Sequence, residues 1–213
     1  MTVRAALRTA LADTYNQSWR LVIVNTTLTV GVALVVLFVS AFPLVVLVAP
    51  LITGPLVAAL VYCVVKLLRE GDLELRDAVD GLRRHWRRGF ALGALSGAVL
   101  LLGVLGISFY ASERHRVLPL AVLAVYVIAL AVLIVLVAWL LAIADPESDI
   151  VAALRGAFML AVQSPLRLLM LGAVLLLVNL VGAVTVVPLL TLTIAYSFLA
   201  TARLVLPPEE VTA

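Results

Sequence analysis

The densest group of chemically capable side chains is Arg83-Arg84-His85-Trp86-Arg87-Arg88. Guanidiniums beside an indole suit an anionic lipid headgroup or a partner protein, so Arg83, Arg84, Trp86, Arg87 and Arg88 are the candidate contact residues. Acid–base or metal chemistry would need more. The two histidines, His85 and His115, fall on opposite sides of the expected membrane and both read as solvated surface residues. Cys63 is the single cysteine, which excludes an internal disulfide and a cysteine-based metal cage and reads as a packing residue. No nucleophile–base pair, phosphate-binding loop or metal-ligand spacing occurs, so the chain is expected to be a non-enzyme with no cofactor.

Two further groups could act inside a membrane. Asn25 and Thr29 share one helical face and Asn179 lies in a later apolar stretch; these three are a candidate polar lining for a neutral solute or, more simply, interhelical hydrogen-bonding groups. Gly89, Gly93 and Gly97 recur every fourth residue, a groove that lets another helix approach closely. Packing within the chain is the favoured use of that groove, with a second copy of the chain as the other candidate.

The elements that must hold these residues follow from composition. Of 213 residues, 65% are hydrophobic and only 13% charged, and the mean hydropathy is +1.23. A soluble domain of this length could not hide so much apolar surface, whereas lipid can solvate it. The formal charge of +3 is too small for a nucleic-acid footprint. The fold class is therefore all-α: a polytopic transmembrane bundle forming a single integral membrane domain over 1–213. Six spans are expected, at about 21–42, 51–68, 90–111, 118–142, 167–185 and 188–205. Pro43, Pro50, Gly54 and Pro55 mark the break between the first two, and 43–55 could form a re-entrant segment. Residues 168–202 are uncharged, long for one span and short for two. Asp13, Asn16, Gln17 and Arg20 interrupt the place of a leader's apolar core, so the first span is expected to serve as an uncleaved anchor.

Between spans lie three amphipathic segments, expected as cytoplasmic elbow helices on the membrane surface. One occupies 3–19. The second starts after a cap at Asp72 and turns Leu75, Val79, Leu82 and Trp86 to one side. The third begins at Asp145-Pro146-Glu147, read as N-cap, N1 proline and first-turn acid. Eleven residues lie between Ala5-Ala6-Leu7-Arg8 and Arg20-Leu21, and eleven again between Ala152-Ala153-Leu154-Arg155 and Arg167-Leu168. Asp77-x-Val-x-x-Leu-Arg83 also matches Asp149-x-Val-x-x-Leu-Arg155. The expected plan is a three-unit pseudo-repeat over 3–68, 72–142 and 148–206, each an elbow plus a transmembrane hairpin.

Of the 14 arginines and one lysine, only Arg114 and Arg116 fall on one side of such a plan. The positive-inside rule then places both termini and all three elbows in the cytoplasm, with Trp19, Trp86 and Trp139 near that interface.

Thr14-Tyr15, Trp19-Arg20-Leu21, Asn25, Gly54-Pro55, Ala58-Ala59-Leu60, Asp77, the run from Arg84 through Trp86 to Gly89, and Ala153-Leu154-Arg155 with Pro165-Leu166 resemble the YesL-like family, also called domain of unknown function 624. The resemblance implies a bacterial inner-membrane protein and a non-catalytic accessory or scaffold subunit. Its implied partners, besides the lipid bilayer, are the permease subunits of a carbohydrate ABC importer. It carries over no catalytic residues. The alternative is a channel or transporter for a neutral or lipid-like solute.

Overall fold

In lipid the backbone must satisfy its own hydrogen bonds, so apolar runs of this length have helix as their available form. The computed structural model describes residues 2–16, 18–41, 45–112, 118–145, 147–185 and 193–206, and every element among them is an α-helix. In order they are α1 (Val3–Asn16), α2 (Ser18–Ala41), α3 (Val45–Glu70), α4 (Leu75–Ser112), α5 (Leu118–Ala144), α6 (Ile150–Gln163), α7 (Pro165–Thr185) and α8 (Ile194–Val205). Four of them, α3, α4, α5 and α7, are long and apolar enough to cross a membrane.

Three expectations are corrected at the element ends. The second apolar helix starts earlier than expected, because α3 is already helical from Val45 and runs through Pro50 and Pro55. Membrane helices tolerate proline where neighbouring groups shield the freed carbonyls, and here α4 lies against both prolines. Pro43 and Leu44 lie outside the described residues.

The middle elbow is not a separate helix. It continues without a break into the apolar stretch as the 38-residue α4, about 57 Å long at 1.5 Å per residue against a hydrocarbon core of about 30 Å. No proline interrupts the run from Arg83 to Gly93, and its glycines are held against α3, so the helix propagates past the change from charged to apolar. Its start also differs. Gly71 ends α3 with a left-handed φ of 72°, a conformation glycine adopts without steric cost. Asp72 accepts from the Leu73 amide at 2.8 Å and lies before the helix, which begins at Leu75. The reach-back cap comes from Asp77, whose Oδ2 accepts from the Glu74 N–H at 2.7 Å.

The third elbow starts later than expected. Asp145 closes a turn, accepting from the Glu147 amide, and the N-cap of α6 is Asp149, which accepts from Ile150 N–H at 2.7 Å. Pro165 then stands at the first position of α7, where its missing N–H costs nothing.

Burial is lopsided along the helices. The buried core gathers Leu60, Val61, Val64, Leu140, Ile143 and Leu199 from α3, α5 and α8. A smaller cluster joins Val137, Ala138, Ala157 and Leu168. Leu102, Val104 and Phe109 of α4, Val122 and Leu123 of α5, and Leu176 and Val184 of α7 are exposed instead. α8 sits deepest, with every residue from Ser197 to Ala202 buried. It is tied to α1 by Arg203, whose Nε and Nη2 both reach Asp13 Oδ2, at 2.9 and 2.7 Å.

Candidate functional site

The glycine series finds its partner inside the chain. A Cβ added to Gly89 would lie 2.7 Å from Pro55 Cα, and one on Gly97 would lie 2.5 Å from Pro50 Cγ. One on Gly93 would stand 3.0 Å from Gly54 Cα and closer still to the Pro50 carbonyl oxygen. The two backbones touch at Gly89 and Gly93, where α4 carries no side chain, and the ring of Pro50 fills the space over Gly97.

The ridge is longer than its glycines suggest. Gly81, four residues before His85, packs against Tyr62, which would stand 2.8 Å from an added Cβ. His85 itself falls on the same four-residue row as Gly81 and Gly89. It is 2% exposed, its ring centroid 5.5 Å from that of Tyr62, so the expectation of a solvated His85 is corrected. Its position on the row outweighs its polarity, and Nε2 has no hydrogen-bond partner among the described residues. His115, Arg114 and Arg116 lie outside the described residues.

Arg88 is drawn out of the basic cluster. Its Nη1 donates to the carbonyls of Ala142 (2.5 Å) and Asp145 (3.0 Å), and its Nη2 donates to that of Ser148 (2.9 Å). From α3, Arg69 Nη2 donates to the Ala144 carbonyl at 2.9 Å. Two cations thus meet the carbonyl end of α5, where unpaired acceptors and the helix dipole favour positive charge. Arg69 has no distinguishing sequence signal beyond its sidedness. Nearby, Lys66 Nζ lies 2.6 Å from Asp77 Oδ1, joining the α3 end to the α4 start. Arg83, Arg84, Trp86 and Arg87 stay exposed, with Arg87 over the Trp86 ring at 5.3 Å and Trp86 edge-on to Phe90.

The three polar candidates within the spans are engaged by the bundle. Asn25 is fully buried, and its Oδ1 accepts from the Ala195 N–H at 3.1 Å, satisfying a first-turn donor of α8. Thr29 Oγ1 donates back to the Asn25 carbonyl at 2.8 Å. Asn179 Nδ2 donates to Ser197 Oγ at 2.7 Å and to the Leu175 carbonyl at 2.8 Å. Asn25 and Asn179 bind positions two residues apart in the first turn of α8, Ala195 and Ser197. The indole of Trp139 is also interior, 4% exposed and donating to Ser96 Oγ at 3.0 Å, so its contacts are with the bundle. The Trp19 side chain is outside the described residues.

Asn25→Ala should leave the Ala195 amide buried without its acceptor, a loss of about 1–3 kcal/mol. Thermal unfolding in detergent measures this, and an unchanged midpoint would show that the bond contributes nothing to stability.

Comparison with family models, with curated proteins and with solved structures finds no match to this chain. The likeness to the YesL-like family therefore rests on the residues quoted for it.

Proposed function

We propose that the chain is a non-catalytic accessory or scaffold subunit of the bacterial cytoplasmic membrane, with six spans and both termini in the cytoplasm. The observation that carries this reading is where its polar groups point. Asn25, Asn179, Arg69, Arg88, Lys66 and Arg203 each bond to another helix of the same chain. Such an arrangement holds a shape, and what it leaves outward is helix surface. Only 17% of the most apolar window of α4 is buried within the chain, against 50% for those of α3 and α5. The outer side of α4, with the exposed Val122 and Leu123 at the start of α5, is the face offered to the spans of another protein, and the family resemblance implies the permease of a carbohydrate ABC importer.

The pairing of α1 with α8 supports termini on one side, and the arginine distribution supports the cytoplasmic side. The alternative, a path for a neutral or lipid-like solute past Asn25, Thr29 and Asn179, has weaker support because all three bond within the bundle.

Affinity purification from membranes in mild detergent is the test. Permease subunits should co-purify with the full chain, and the reading fails if they never do so under conditions that keep known importer complexes intact.

A further inference from the structure

A groove of about 280 Å³ separates α2, α3 and the first turns of α4. Val24 and Thr27, Leu56, and Ala78, Val79 and Leu82 line it. The Thr27 hydroxyl is turned to its own helix, donating to the Ile23 carbonyl at 2.8 Å, so the wall is effectively hydrocarbon. Val24, Thr27 and Leu56 belong to the charge-free run of the first two apolar helices, while Ala78, Val79 and Leu82 stand among the charges at the start of α4, so the groove runs from the apolar run to its charged edge.

Along the adjoining edge of α4 stand Arg76, Arg83 and Arg87, spaced at i, i+7 and i+11 and all exposed. That spacing returns to nearly the same side of a helix. Asp80 shares this edge and has no ion pair among the described residues, while Asp77 is turned inward to Lys66. Three cations therefore face one acid beside an apolar slot.

An apolar slot under a row of guanidiniums matches a molecule with a hydrocarbon chain and a phosphate. A peptide fits less well, since its backbone would lie against an apolar wall that offers its polar groups no partner. The volume lies near the lower end of small-molecule sites, which run from about 300 to 1,000 Å³, room for one chain and not two.

We propose that this groove is a site for one anionic phospholipid of the cytoplasmic leaflet, an acyl chain lying between α2 and α4 and the phosphate on Arg76 and Arg83. The proposal rests on the membrane reading above and not on the identity of any protein partner.

The test uses the purified full chain in detergent, with native mass spectrometry after addition of phosphatidylglycerol or phosphatidylcholine of the same chain length. One phosphatidylglycerol should be retained in preference to phosphatidylcholine. Removing Arg76 and Arg83 as glutamines should weaken that retention about five-fold per arginine, with phosphatidylcholine unchanged. Val79→Trp, placed at a half-exposed wall position, should also weaken it with every arginine present. Arg155→Gln, exposed on α6, should change nothing. Circular dichroism and melting before lipid addition show that each variant is folded.

Equal retention of the two lipids by the unaltered chain would overturn the proposal. So would a double arginine variant or a folded Val79→Trp variant that binds phosphatidylglycerol normally. A double variant that loses a co-purifying protein while keeping the lipid would assign this edge to protein instead. No second protein is present in the lipid assay, so failure of the importer association leaves its result intact.

Discussion

Gly93→Ala is expected to lose about 3 kcal/mol of stability, the upper end of the usual cost of overpacking, although it adds a single methyl group. The new carbon would meet the Pro50 carbonyl oxygen and Gly54 Cα, which are backbone atoms of α3 and cannot rotate away. Relief requires the two helices to separate, and α3 carries much of the buried core through Leu60, Val61 and Val64. Gly106→Ala supplies the internal control. Its nearest neighbour would be the tip of Ile128 at 3.9 Å, an ordinary contact. There the intrinsic helix preference of alanine dominates, giving no change or a gain of up to about 1 kcal/mol. Unfolding of both variants in one detergent checks the pair, and equal stability would show that the ridge does not hold α3 to α4.

The second large effect is expected at Arg88. Arg88→Ala removes donors from the carbonyls of Ala142, Asp145 and Ser148, and a hydrogen bond to a charged group contributes about 1.5–3 kcal/mol. Arg69 still reaches Ala144, so the end of α5 is not stripped bare. A net loss of about 3 kcal/mol follows. Arg88→Lys should fall between the two, because an ammonium keeps the charge but cannot fork across separate acceptors as a guanidinium does. Removing Arg83, which bonds to no carbonyl of α5, should cost under 1 kcal/mol on the scale of surface substitutions. A ranking in which Arg83 matters as much as Arg88 would dispose of the capping role.

The contrast between Arg83 and Arg88 also shows how far the sequence can be read. Both belong to one basic run and look alike in it, since sidedness in the membrane depends on charge alone. What separates them is the position of α5, more than fifty residues away, and no local pattern encodes that. The glycine series was legible because spacing by fours is itself the packing geometry. His85 was misjudged for the opposite reason: the side chain suggested water, whereas the row it shares with Gly81 and Gly89 put it against Tyr62. The extent of α4 was hidden because a charge-to-apolar transition changes the medium around a helix without ending its backbone bonds. The Asn-to-α8 contacts were half visible, as buried polar groups but not as caps, because the start of α8 is set by tertiary packing.

The arginines at the end of α5 bear on how the protein is made as well as on how it stands. Synthesis runs from the amino terminus, so α3 and α4 leave the ribosome before α5 is complete. Arg69 and Arg88 are thus in place to receive its last carbonyls. Were α5 threaded in the opposite sense, the same two guanidiniums would face its amide-rich end, which carries partial positive charge. The same dipole argument makes the two guanidiniums favour the observed sense of α5 over its reverse.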